Sequence, residues 1–161
     1  MNQIEIASKI IKLDEESGKF KSKPYYCSKK YPTIGWGFRI PNTKQFDPLP
    51  PITMSEADGN KMLATKLDKY HTELSSNINT RHLYPKLNPV RQAVLLSMRH
   101  QLGMAGLVGF RKMWIAIEKQ DWDEAAIEIM DSDAVKKDKL VDRFQRNADQ
   151  MRTGELLSYY K

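Results

Sequence analysis

Residues 25–37 read YYCSKKYPTIGWG. Aromatic, β-branched and glycine residues alternate here over a few positions, and Pro24, Pro32, Pro41, Pro48, Pro50 and Pro51 punctuate the wider segment 19–52. A helical period does not survive that composition, so the segment is predicted to form short strands joined by turns. The same run contains Cys27, the only cysteine of the chain, which excludes an intramolecular disulfide framework.

On both sides the pattern turns helical. Upstream, Ile4, Ala7, Ile10, Ile11 and Leu13 make a stripe that ends near Asp14-Glu15-Glu16-Ser17-Gly18, with Gly18 as the stop. Downstream, Thr53-Met54-Ser55-Glu56 has the form of a capping box, opening a helix with the stripe Leu63, Leu67, Tyr70, Leu74 and Ile78. At about 25 residues that helix is long enough to connect two lobes. Asn88-Pro89 supplies a cap and a first-turn proline for the segment VRQAVLLSMRHQLG, apolar on most sides and so the expected core helix. Gly103, Gly106 and Gly109 interrupt the pattern before FRKMWIAIEK. Further helices are expected at WDEAAIEIM and LVDRFQRNADQM, with a short one after Gly154. The predicted class is α+β, mainly α. It is a single domain with a small sheet-containing lobe over 14–58, a connecting helix over 59–80 and a helical lobe over 81–161, on which residues 1–13 pack.

The chain has 161 residues and a net charge of +6, which favours association with polyanions. Its basic residues are dispersed, without an arginine-rich tract or zinc-ligand spacing, so nucleic acid is not the expected partner. No apolar run approaches the roughly 18 residues that span a bilayer, and the N-terminus lacks a secretory h-region, so a cytoplasmic protein without stable membrane insertion is expected. P-loop, GxGxxG, HExxH, CxxC and GxSxG patterns are absent, and His71, His82 and His100 are scattered. No metal or cofactor is expected.

What remains is an acidic cluster at a helix end, followed by a cysteine and a threonine. Carboxylates at a helix C-terminus meet the negative end of the macrodipole and each other's charge, and both favour the protonated form that a general acid needs. The same cluster also reads as solvated surface, and Cys27 as a small buried hydrophobe.

DEESGKF, YYCSKKYPTIGWG, HQLGMAGLVGF, WDEAA and RTGELL, in this order and spacing, resemble the phage-type lysozymes, the endolysins of glycoside hydrolase family 24. The resemblance covers essentially the whole chain. It implies a two-lobed lysozyme-like fold with a cleft, and hydrolysis of the β-1,4 bond between N-acetylmuramic acid and N-acetylglucosamine in bacterial peptidoglycan. It makes the general acid a glutamate at the end of the first helix. Glu15 and Glu16 compete, and the family's helix register favours Glu15, with Leu13, Ile11, Ile10 and Ala7 at the apolar offsets. Thr33, at the start of TIGWG, matches the threonine that helps hold the attacking water. Five residues separate Cys27 from Thr33, the family's spacing from its second catalytic position, normally aspartate, so Cys27 takes that place. Arg143 and Arg146 match arginines that pair with the acid and the preceding aspartate, here Glu15 and Asp14. Gln101 stands at a cleft position and Phe110 at a packing one.

Some positions depart from the family. Phe38 replaces a histidine and removes an interlobe contact; Arg39 and His100 stand where apolar residues touch substrate; and residues 131–139 lack the usual aromatic and proline. A neutral thiol is a poor base, and only a thiolate favoured by cations such as Lys29 and Lys30 would replace the missing carboxylate. Three readings follow. They are a muramidase, a lytic transglycosylase in which the muramic 6-hydroxyl attacks, and a lysozyme-like protein that only binds the wall. As an endolysin the protein would act as a monomer and depend on a holin for access to the wall.

Overall fold

In a computed structural model, which describes residues 1–137 and 140–161 and Glu16 by its backbone alone, the first helix α1 spans Gln3–Asp14. Asn2 caps it: its side chain accepts from Glu5 N–H at 2.9 Å while Glu5 accepts from Asn2 N–H at 3.0 Å. The buried face is Ile6, Ala7, Ile10 and Ile11. Leu13, expected in this stripe, is 37% exposed, while Ile6, outside the expected stripe, is buried. The chain tightens into a 3-10 turn over Glu15–Gly18 and leaves it through Gly18 at φ +80°.

The predicted sheet follows. Strands β1 (Lys21–Tyr26), β2 (Pro32–Gly35) and β3 (Phe38–Arg39) are antiparallel in the order β1-β2-β3. Thr33 pairs with Tyr25 on one side and Arg39 on the other. All four residues of β2 are buried, which fixes the central strand against the rest of the lobe.

Helix α2 (Glu56–Ser76) joins the lobes. Its cap is Ser55, which accepts from Asp58 N–H at 3.1 Å, and not Thr53 as the box motif suggested. The chain turns helical two residues later than that motif implies. It also ends earlier than expected, so Ile78 lies beyond it, 72% exposed. Helix α3 (Pro89–Val108) starts as predicted, with Asn88 accepting from Arg91 N–H at 2.9 Å. Gln92 to Met98 are all buried, making α3 the core helix. Of the three glycines expected to end it, Gly103 alone leaves helical geometry (φ 77°, ψ 169°); Gly106 stays helical and Gly109 is the C-terminal cap.

Helices α4 (Arg111–Glu118), α5 (Trp122–Met130), α6 (Asp133–Lys136) and α7 (Val141–Thr153) complete the helical lobe, with a 3-10 turn over Ser158–Tyr160. The departure noted over 131–139 falls partly on residues 138 and 139, outside the described residues. Helix α1 packs along α3 and α5 along α7, and the C-terminal 3-10 turn touches α1. The N-terminal helix thus belongs to the helical lobe, but its last residues enter the small one. That brings the acidic cluster to the face of α7. Among the described residues no helix is long and apolar enough to cross a membrane.

Candidate active site

The end of α1 opens onto a cleft of about 700 Å³ between the lobes. Glu15, Cys27, Thr33, Arg39, His100, Gln101, Asp14, Arg143 and Arg146, the residues singled out above, all line it. Phe110 does not; it is half-buried against the core at the start of α4.

Glu15 is the C-cap of α1, and its carboxylate is held from two directions. Arg143 Nη1, from the first turn of α7, donates to Glu15 Oε1 at 3.0 Å. On the other side lies Gly37, in the turn between β2 and β3. A β-carbon built there would stand 2.6 to 2.8 Å from the Glu15 carboxyl atoms, and Gly37 has φ +78°. The position therefore demands glycine twice over, by conformation and by contact. Glu16, the rival candidate, has no described side chain.

Asp14 forms the base of this corner, its side chain 0% exposed. Arg146 donates to Oδ1 through Nη2 at 2.8 Å and Nε at 3.2 Å, and the Tyr160 hydroxyl lies 2.8 and 2.9 Å from the two oxygens. Arg143 Nε stands 3.8 Å from Oδ2. Burial, with the adjacent Asp14 charge, raises the Tyr160 pKa well above the usual phenol range, so the hydroxyl remains a donor. Tyr160, next to the last residue of the sequence, carries no local sequence signal for this role.

Across the cleft, the Tyr31 carbonyl organises the other two expected residues. It accepts from Cys27 N–H at 3.1 Å and from Thr33 Oγ1 at 2.8 Å. A tight turn, closed by Lys30 N–H to Cys27 O at 2.8 Å with Lys30 at φ +66°, holds Cys27 in place. Because the Thr33 proton is committed to Tyr31, its oxygen offers lone pairs to anything else that approaches. Arg39, the cross-strand partner of Thr33, stacks its guanidinium 4.0 Å from the Tyr31 ring and donates to Thr43 O at 3.1 Å.

His100 sits at the cleft floor and joins the lobes. Its Nε2 lies 2.9 Å from Trp36 O in the small lobe, and Nδ1 lies 3.4 Å from the Tyr70 hydroxyl on α2. Since a carbonyl only accepts, Nε2 carries the proton and Nδ1 receives from Tyr70. Phe38, expected to cost an interlobe contact, instead places its ring edge-on to His100 at 6.0 Å. Burial pushes the His100 pKa down to about 4, outweighing its hydrogen bond to Trp36, with Arg143, Lys66 and Arg99 adding repulsion. The imidazole is therefore neutral at pH 7. The sign follows from linkage: between about pH 6.5 and 4 the unfolded chain binds a proton that the folded one refuses, so stability falls as pH falls. A loss of about 3 kcal/mol is expected over that interval. Urea titrations at both pH values should show it, and His100→Gln should flatten the slope.

Chemically, the cleft brings together the Glu15 carboxyl group, held by Arg143, a thiol and a hydroxyl oxygen that offers lone pairs. Among the described residues, Asp14, Glu15 and Asp142 are the carboxylates lining it, and none comes from the strands β1 to β3 or the turns between them. The family model for phage lysozyme matches residues 15–149, a span that holds every cleft residue discussed here except Asp14 and Tyr160. An acid at the end of the first helix, a facing sheet and a matched span covering most of the chain agree, and the protein belongs to the phage lysozymes, glycosidase-type enzymes that degrade peptidoglycan.

Proposed function

We propose that the protein is a muramidase that hydrolyses the β-1,4 bond between N-acetylmuramic acid and N-acetylglucosamine, with Glu15 as the general acid. The observation that carries this is the clamping of the Glu15 carboxylate between Arg143 and Gly37, in a cleft of about 700 Å³ that Cys27 and Thr33 also line. In the reaction Glu15 gives its proton to the glycosidic oxygen as the bond to the muramic anomeric carbon breaks, and positive charge develops on the ring. Water then adds to that carbon and loses a proton, taken by Cys27 as the thiolate or by solvent. Thr33 Oγ1, its own proton held by Tyr31, accepts a hydrogen bond from this water and leaves an oxygen lone pair directed at the sugar. Cys27 occupies the place of the base. A thiol there is a weak one, so Cys27→Asp is expected to raise turnover about tenfold, and Cys27→Ala to lower it by a similar factor. Equal rates for alanine variant and wild type would remove Cys27 from the mechanism.

That the strands β1 to β3 and their turns bring no carboxylate to the cleft, among the described residues, favours one alternative, attack by the muramic 6-hydroxyl as in a lytic transglycosylase. Digestion of purified peptidoglycan followed by mass spectrometry of the released muropeptides decides between the two. Reducing muramic ends are expected; anhydromuramic ends would establish transglycosylation. Failure to release fragments from any peptidoglycan would leave wall binding as the function.

A further inference from the structure

The cations of the cleft are not all neutralised within the fold. Arg143 and Arg146 meet Glu15 and Asp14. Arg99 pairs with Glu73 at 2.8 Å and lies 4.3 Å from the Tyr70 ring. Lys66, on α2, lines the same cleft and differs from these. Among the described residues it forms no ion pair, and its ammonium lies 5.7 Å from the Phe38 ring. Beside it are Lys69, Arg99 and the neutral His100. Burial, then repulsion from Lys69 and Arg99, lowers its pKa from the ordinary lysine value. A half-buried ammonium without a counter-charge costs stability, and such groups persist where a ligand supplies the missing charge.

We infer that Lys66 is a specificity-determining residue, which binds a carboxylate on the glycan strand and so makes the cleft selective for anionic over neutral β-1,4-linked glycans. This rests on the muramidase reading and adds the substrate feature that the cleft reads. Two carboxylates fit this chemistry, the lactyl group of an unsubstituted muramic acid and those of a peptide stem. Among the described residues no carboxylate holds the ammonium, and its 5.7 Å contact with the Phe38 ring is one that a ligand carboxylate outcompetes. Arg39, fixed by Tyr31 and Thr43 O, has less freedom to turn toward such a group.

The test compares wild type, Lys66→Gln, Lys66→Arg and Lys69→Gln, the last removing the same charge from an exposed position outside the cleft. Substrates are stem-bearing peptidoglycan, the same material with its carboxyls amidated by carbodiimide, and amidase-stripped strands that keep only lactyl carboxylates. Muropeptide release gives KM and kcat. Co-sedimentation with intact sacculi, in a Glu15→Gln background, gives affinity independently of cleavage. Lys66→Gln is expected to raise KM and weaken sedimentation about tenfold on stem-bearing material with kcat little changed. Lys66→Arg should recover most of the loss, Lys69→Gln should match wild type, and amidation should abolish the difference. A loss confined to stem-bearing strands assigns the contact to the peptide carboxylates alone; one that appears on stripped strands as well shows that Lys66 also binds the lactyl carboxylate freed there. Equal affinity of Lys66→Gln and wild type for untreated sacculi, or an equal loss on amidated ones, would overturn the proposal. If wild type releases no muropeptides, the muramidase reading fails, while the sedimentation series still decides whether Lys66 reads a carboxylate.

Discussion

Glu15→Gln is expected to lower muropeptide release from purified peptidoglycan about a thousandfold, within the range that a positioned general acid contributes. The substitution isolates the proton. Glutamine matches glutamate in shape, so it still rests on Gly37, and its carbonyl oxygen still accepts from Arg143 Nη1. What it lacks is a proton to give to the leaving oxygen. The thermal midpoint should therefore move little while kcat collapses. Glu15→Asp keeps the acid but withdraws it by a methylene from the Gly37 surface, and a misplacement of about 1 Å costs about a hundredfold. Activity of Glu15→Gln within tenfold of wild type would remove Glu15 from the role and direct attention to Asp142, an exposed cleft carboxylate on the first turn of α7, or to Glu16.

Asp14→Ala is expected to cost about 3 to 5 kcal/mol, the usual result of removing one member of a buried ion pair. The carboxylate is wholly enclosed and receives Arg146 and Tyr160, with Arg143 Nε close by. Without it, two guanidiniums and a phenol face a small cavity that none of them can fill. Asp14→Asn keeps an acceptor oxygen and the volume, and should cost about 2 kcal/mol. Urea denaturation of the three proteins measures the series, and a loss below about 1 kcal/mol for the alanine variant would show that water replaces the carboxylate there. Because Asp14 anchors the C-terminal turn through Tyr160, Tyr160→Phe should weaken the same network without touching Glu15.

The helices with strong local signals were legible in the sequence. Asn88-Pro89 marked the start of α3, and WDEAAIEIM coincides with α5. Their ends were less so. Leu13 continues an apolar period onto an exposed face and Ile78 continues one beyond the helix end, and Ser55, two residues after Thr53, is the cap. The pairs Arg143–Glu15 and Arg146–Asp14, expected only through the family resemblance, are present with hydrogen-bonding geometry. Three parts of the cleft had no signal to read. The Tyr31 carbonyl is backbone, and backbone groups have no letter in a sequence. The contact of Gly37 with Glu15 is a long-range fit. Tyr160 reaches Asp14 across 146 positions of chain.

The turn at Trp36 and Gly37 has a dynamic consequence. His100 grips it through the Trp36 carbonyl, and Glu15 rests on the neighbouring α-carbon, so two residues of this turn are latched, one to the core helix α3 and one to the end of α1. Any swing of the lobes that lifts this turn removes the His100 hydrogen bond and the floor beneath the acid in one motion. An opening of the cleft at this turn would therefore part His100 from Trp36 and Glu15 from Gly37 together, and a closing would restore both contacts at once.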